Sequence, residues 1–447
     1  MTLCLGHLCD SAGPKAALLA RAARALMDLG HAPAAPAHAV FVPGRIEVLG
    51  KHTDYAGGRS LIAAAEQGVC LIAVPRQDAT VRAAALDLGD ACEFPLSPDL
   101  APTVGHWSNY PMIVARRVAL NFPGRLRGAD LALTADLPPA AGMSSSSALM
   151  VAVFLALARV NRLADRPEYR ANIAGPLALA EYLGTVENGQ TFAALAGDRG
   201  VGTFGGSEDH TAMLGSVAGW LGQYAYCPVR LERRVALPPG YTFAIASSGV
   251  AAEKTGAAME KYNRASRLAQ AVAQAWREAT GRTDPHIAAA LAGDRAASSV
   301  ERMRQVLAAA RAGGEFTPAE LAARFEHFYA ESQEIVPAAG DALAAGDVTA
   351  FGRHAALSQE LAERLLGNQV PETVWLARAA GDLGAAAASA FGAGFGGSVW
   401  ALVRESSAAE FLAAWSGRYA AAFPAASQQA AFFISAPGPA VFELGEV

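Results

Sequence analysis

Residues 142–148 read Gly-Met-Ser-Ser-Ser-Ser-Ala, and they stand between two patterns of different period. Ala129 to Ala135 alternates as a half-buried strand does. Leu149, Val153, Leu157 and Val160 recur at helical spacing. Leu137-Pro138-Pro139-Ala140-Ala141 leads into the turn. A glycine followed by small hydroxyl residues lets several backbone N–H groups converge on one point. The helix that starts there adds the positive end of its dipole. A strand, a tight serine-rich turn and a helix therefore make an anion site suited to nucleotide phosphates, and the chain is expected to be a phosphotransferase. One serine would be enough to cap the helix; this turn carries four in a row.

The rest of the composition narrows the setting. At 447 residues, two domains are expected. Lys plus Arg number 36 against 41 Asp plus Glu, a balance that offers no basic field for nucleic acid. No stretch approaches the roughly 20 uninterrupted apolar residues of a membrane span. The N-terminus lacks a basic region followed by an apolar block, so no export signal is expected and the cytoplasm is the expected location. Cys4, Cys9, Cys70, Cys92 and Cys227 are scattered with no CxxC pair, so neither a zinc site nor a disulfide framework is suggested. The histidines show no metal-binding spacing.

Along the chain, 15–29 reads as an amphipathic helix stopped by Gly30, and Ala39 to Val42 as a short strand running into Pro43-Gly44-Arg45. Val69 to Val74 and Val81 to Ala84 read as strands, and 144–160 and 175–187 as helices. Gly197 to Gly206 is a glycine-dense loop, and Tyr241 to Ser248 alternates as a strand. From Gly256 to Leu383 the period is helical, with breaks expected near Asp284-Pro285, Gly313-Gly314, Pro337 and Gly346. Ser398 to Val403 and Ala431 to Ser435 return to strand. The order is α+β in two lobes, divided loosely near 212 into 1–212 and 213–447.

Two further segments carry chemistry. Pro43-Gly44-Arg45-Ile46-Glu47-Val48-Leu49-Gly50-Lys51-His52-Thr53-Asp54-Tyr55-Ala56-Gly57-Gly58 crowds a guanidinium, an ammonium, an imidazole, carboxylates and a phenol between glycines. It offers donors and acceptors for a polyhydroxylated molecule, with Arg45 available to a phosphate; alone, it could equally be a solvated turn. Phe391-Gly392-Ala393-Gly394-Phe395-Gly396-Gly397-Ser398 runs into a strand, which alone could be no more than a close-packed turn. The Walker and protein-kinase patterns are absent.

The three segments, in this order, resemble those of the GHMP kinase superfamily. The first is similar to the galactokinase signature through Gly44-Arg45, Gly50, His52-Thr53-Asp54-Tyr55 and Gly57-Gly58. The likeness returns at Tyr262-Asn263-Arg264 and around Ser332, His354 and Ser358. The resemblance implies a two-lobed α+β fold, with an N-terminal mixed sheet with helices, a C-terminal α/β sandwich lobe and an active site between them. It implies ATP-dependent phosphorylation of a monosaccharide, most simply galactose, at its anomeric hydroxyl, by a monomer or homodimer. It gives Asp209 the role of base and Arg45 that of its partner. Gly142, Met143, Ser144, Ser145, Ser146 and Ser147 would wrap the phosphates, and Ser146 and Glu187 would hold Mg2+. Lys51, His52, Asp54, Gly206 and Tyr262 would contact the sugar, with Gly394, Phe395, Gly396 and Gly397 closing the site.

Alternatives stay open at several of these positions. Asp198 competes with Asp209, Glu187 could end a helix in solvent, and Tyr262 could be a helix-face aromatic. His210, where a Gln is usual, would orient Asp209. Glu47 replaces the usual Asn and Lys51 the usual Glu. The exchange suits a uronic acid, unless the two residues pair with each other. The 189–202 stretch is longer than the family pattern, as a lid or as decoration. A non-catalytic sugar sensor is the reading from another class. Such regulators lose two residues after the serines, where this chain keeps Ser147-Ala148.

Overall fold

Two long neighbouring strands, β1 (His38–Leu49) and β2 (Arg59–Pro75), organise the first half of the chain. The computed structural model describes residues 3–138, 141–250, 256–292, 296–310 and 314–444; Pro139, Ala140 and Gly313 lie outside these. Every position of β1 after His38 is buried. Because successive side chains point to opposite faces, Ala39 and Phe41 pack with Leu19, Ala22 and Leu26 of the helix Ala16–Asp28. Val40 and Val42 pack with Ala148 and Val151 of the helix Ser145–Asn161. The expected strand at 39–42 is thus only the first third of the element. It continues through Pro43 and Arg45, with register shifts between Pro43 and Arg45 and between Glu47 and Leu49. Such bulges re-aim side chains. Here they turn polar residues of a buried strand into the cleft.

β3 (Thr80–Ala85), β4 (Asp90–Pro95) and β5 (Ala129–Ala135) extend this sheet on the β2 side. The hairpin β6 (Trp220–Ala225) and β7 (Arg230–Ala236) also pairs onto β2. Position 212 lies inside the helix Glu208–Gly215, and the β6–β7 hairpin beyond it still belongs to the first sheet. The second sheet is antiparallel and has the order β11 (Ala431–Ser435), β8 (Tyr241–Ser247), β10 (Ser398–Arg404), β9 (Ala387–Phe391). One of its faces buries Ala244, Val399 and Ala401 with Leu376 and Trp415 of the helices Pro371–Asp382 and Ala408–Ala422. Its other face sends Phe243, Ile245, Trp400 and Leu402 into the same core as β1, so the two sheets share apolar packing. β12 (Phe442–Leu444) returns to pair with β1.

The helical stretch holds a cluster of its own around Trp276, Met303, Phe325 and Phe328, which packs on Ala56. Pro337 does not break it. The helix Pro318–Tyr329 runs through a π-helical turn, Ala330–Ile335, into Val336–Ala344. A wider turn just before the proline accommodates its missing N–H without ending the rod. All five cysteines are free. No helix of the described residues is long and apolar enough to cross a membrane.

Candidate active site

The serine turn meets β1 because Gly44 has no side chain. A Cβ there would stand 2.8 Å from Leu137 Cδ2 and 3.0 Å from the Met143 carbonyl. That close approach lets the Arg45 N–H donate to the Met143 carbonyl (3.2 Å), and the Arg45 guanidinium donates to the Gly142 carbonyl (2.5 Å). Ser144 sits at φ +59°, turning the chain into the helix Ser145–Asn161. Gly142, Ser144, Ser145 and Ser146 then line a cavity of about 450 Å³ together with Trp107 and Tyr110. Its size falls within the ~300–1,000 Å³ of small-molecule sites. A helix N-terminus and aromatic, apolar side chains lining one cavity suit a nucleotide's phosphates and base respectively. Met143 is buried away from this cavity and contributes its backbone.

Ser147 points elsewhere. Its hydroxyl donates to Glu187 Oε2 (2.9 Å) and lies 3.3 Å from Asp209 Oδ2. The expected metal pair Ser146 and Glu187 is therefore not the pair that the structure brings together. Adjacent helix positions are rotated by about 100°, so Ser146 faces the large cavity and Ser147 faces Glu187. Glu187 is buried near the end of its helix rather than solvated, with His210 Nε2 3.5 Å from its carboxylate. His210 thus stands beside Glu187.

Arg45 gathers three carboxylates. Its Nε lies 2.8 Å from Asp209 Oδ1 and 3.9 Å from Glu208, and Nη2 lies 3.9 Å from Glu47. Burial alone would lower the Arg45 pKa, but Asp209, Glu47 and Glu208 together raise it. Burial pushes the Glu47 carboxyl up to about 7, against the pull of Arg45 and Lys51. Burial, then Glu47 and Asp54, push Glu208 well above the usual range. These two carboxyls are thus poised to retain a proton between them. Asp209 is in the first turn of its helix, where the dipole favours negative charge. Asp198, the competing carboxylate, is instead paired with Arg116.

A smaller pocket opens beside the large one, and Arg45 and Ala393 line both. Of the expected sugar contacts, His52, Asp54, Gly206 and Tyr262 line it, together with Asp209 and Glu187. Gly206 must be glycine, since a Cβ would sit 2.4 Å from Asp54 Oδ2. Both ring nitrogens of His52 are engaged, Nδ1 with the Tyr55 hydroxyl (2.8 Å) and Nε2 with the Ala393 carbonyl (2.9 Å). Lys51 does not line the pocket. It is 0% exposed, and its ammonium donates to Ser358 (2.9 Å) and Ser389 (2.8 Å). Ser358 in turn donates to Glu331 (2.9 Å), which also accepts the Gly50 and Lys51 N–H groups. Lys51 therefore neither faces the pocket nor pairs with Glu47.

In the third segment the touching residues are Gly392 and Ala393. Gly394 packs on Asn368, where a Cβ would stand 2.2 Å from its carbonyl. Phe395 donates its N–H to the same carbonyl (2.5 Å), and Gly397 bonds to Val250 and Ser248. Gly394, Phe395, Gly396 and Gly397 shape the turn rather than line the pocket. The long 189–202 stretch is tied down as well. Arg117 and Asn121 bind the carbonyls of Gln190 and Ala196, and Asn109 binds that of Val201. Sequence reasoning missed Glu208, Trp107 and Tyr110 as site residues, and it named Tyr55 only as part of the signature segment. The signal available for Glu208 was an acid directly before Asp209.

Three family signatures match the chain: the galactokinase galactose-binding signature over 29–75, the GHMP kinases N terminal domain over 109–197 and the GHMP kinases C terminal domain over 341–421. A galactokinase of Roseiflexus sp. (strain RS-1) is 31% identical over 382 residues, covering 83% of this chain and 85% of that protein. One from Chloroflexus aggregans is 29% identical over 395 residues, 86% of this chain and 88% of that protein. With one from Actinobacillus pleuropneumoniae the match is 36% over 123 residues, only 32% of that protein. In fold the chain resembles the Lactococcus lactis galactokinase complexed with galactose, with a TM-score of 0.72 at 23% identity over 91% of this chain and 95% of that one. The Methanococcus jannaschii mevalonate kinase follows at 0.55 and 13%, over 90% and 98%.

Proposed function

The chain belongs to the galactokinase family of GHMP kinases, and from that premise we propose that it transfers the γ-phosphoryl group of ATP to the anomeric hydroxyl of galactose. It is a sugar kinase, transferring phosphate to a hydroxyl. The observation that carries the finer reading is the Arg45–Asp209 pair at 2.8 Å, set where the cavity beside the serine turn meets the polar pocket. Asp209 accepts the proton of the attacking hydroxyl, whose oxygen forms the new bond to phosphorus while ADP departs. Arg45 favours the charged form of Asp209 and faces the transferring group. The remaining work is positioning.

Ser147 and Glu187 are oxygen donors that fit Mg2+, which prefers one or two protein oxygens alongside phosphate and water. Among the described residues no group of three or more His, Cys, Asp or Glu could hold a metal alone. When bound, Mg2+ would neutralise charge on the nucleotide. Replacing Ser147 by Ala is expected to raise the Mg2+ concentration for half-maximal rate at least the roughly tenfold seen even for outer-sphere losses. Ser146→Ala should leave it within about twofold, a change too small for a lost ligand. Mg2+ titrations of initial rate check this, and the opposite ranking would return the ligand role to Ser146.

The pocket is lined by Glu47, Asp54, Glu187, Glu208 and Asp209 against Arg45, and Lys51 is turned away from it. This favours a neutral sugar over a uronate. ADP release with a sugar panel tests the function: galactose is expected to exceed galacturonate by about 100-fold in kcat/KM, the cost of placing a carboxylate among carboxylates. Equal rates, or sugar binding without ADP release, would overturn the reading.

A further inference from the structure

We infer that Arg324 is a positioning residue for the acceptor sugar: through Tyr55 it directs a hydroxyl hydrogen onto His52 Nδ1, and through His52 it holds the Gly392–Ala393 turn over the pocket. The inference rests on the pocket being the sugar site. Arg324 is 0% exposed, yet no carboxylate pairs with it among the described ion pairs. A buried guanidinium without a counter-charge is costly, and such groups concentrate where function demands them. It comes from the helix Pro318–Tyr329, far along the chain from the residues it touches.

Its contacts fix a chain of donors and acceptors. Arg324 Nη2 donates to the His52 carbonyl and reaches the Tyr55 hydroxyl oxygen at 3.4 Å, while Nη1 lies 3.1 Å from His327 Nδ1. Arginine only donates, so His327 Nδ1 accepts. Burial, then Arg324, holds the His327 pKa well below its usual value, which keeps the ring neutral. At the other end the Ala393 carbonyl only accepts, so the proton of His52 is on Nε2. Nδ1 is then the acceptor, and the Tyr55 hydroxyl donates to it. Burial pushes Tyr55 up to about 12, so this hydroxyl keeps its proton.

His52 also has φ +58°, a left-handed conformation that a side chain makes unfavourable. Arg324 binds the carbonyl of that strained residue. Ala393 lines both the nucleotide cavity and the sugar pocket, so the relay ends on the turn that separates them. A lysine could supply the charge but not a planar fork able to serve His52, Tyr55 and His327 together.

The test uses the purified full chain with Arg324→Lys, Arg324→Gln, Tyr55→Phe and the Arg324→Gln/Tyr55→Phe double variant. Each single change is expected to raise KM for galactose about tenfold, the effect of one broken buried hydrogen bond. The kcat and the KM for ATP should stay within about threefold, and the double variant should be no worse than the weaker single one, as residues in one network are not additive. Unchanged KM for galactose in Tyr55→Phe, or effects that multiply, would overturn the inference. Tyr55→Phe keeps the question open to decision even where the Arg324 variants fail to fold. Ring 15N shifts of His52 decide it independently of activity. In the wild type Nε2 should carry the proton while Nδ1 accepts a hydrogen bond. Tyr55→Phe should move the Nδ1 resonance toward that of a free acceptor with Nε2 still protonated, and an unchanged Nδ1 shift, or a wild-type proton on Nδ1, sinks the relay whatever sugar the enzyme uses.

Discussion

Asp209→Asn is expected to lower kcat about 1,000-fold, within the ~10²–10⁴ that a positioned base contributes. Galactose and nucleotide dissociation constants should change by less than about threefold, since Asn keeps the shape of Asp and the hydrogen bonds that bind ligand are largely retained. Asn cannot take the proton of the attacking hydroxyl. Its amide oxygen can still face Arg45, so the 2.8 Å contact and the shape of the pocket survive. Charge stabilisation by Arg45 and the serine turn would sustain the residual rate. Single-turnover rates with equilibrium binding measured alongside separate the two effects. A variant that keeps more than about a tenth of the wild-type kcat would move the base elsewhere, with Glu208 the adjoining candidate.

Arg45→Met has the second large effect, and it should reach stability as well as rate. Removing the guanidinium leaves Asp209, Glu208 and Glu47 facing one another in a buried site. Breaking a buried ion pair by deleting one partner costs about 3–5 kcal/mol. The loss should depend on pH. These carboxyls would have folded-state pKa values raised further above their unfolded ones, as Glu47 already is at about 7. A raised folded pKa contributes stability that is fully present below the unfolded value and is lost as pH rises through the folded value. The variant should therefore be closer to wild type at pH 6 than at pH 8 in denaturant midpoint. Adding Glu47→Gln to Arg45→Met should recover stability at pH 8 without recovering activity. If stability is unaffected by either change, the three acids are not coupled through Arg45.

The elements most visible in the sequence were those with an uninterrupted period. Ala129–Ala135 and Ala431–Ser435 end where their alternation ends. The helices at 144–160 and 175–187 shift by only a residue at their ends in Ser145–Asn161 and Pro176–Asn188. β1 was cut short because Pro43-Gly44 has the composition of a turn. In the fold it is a bulge whose missing side chain admits the serine turn. Pro337 looked like a stop for a similar reason, and the π-helical turn before it was not legible in local composition.

The sequence by itself determined the family, the α+β order and the three segments that frame the cleft, because backbone-driven features such as a glycine-serine turn before a helix depend on neighbouring residues alone. Tertiary structure alone decided where each side chain points. Ser147 rather than Ser146 reaches Glu187 because of helix rotation, Lys51 is drawn inward by Ser358 and Ser389 from distant segments, and Arg324 is carried to His52 by a helix some 270 residues later. Orientation depends on partners brought together only by folding, and no local pattern of residues encodes them.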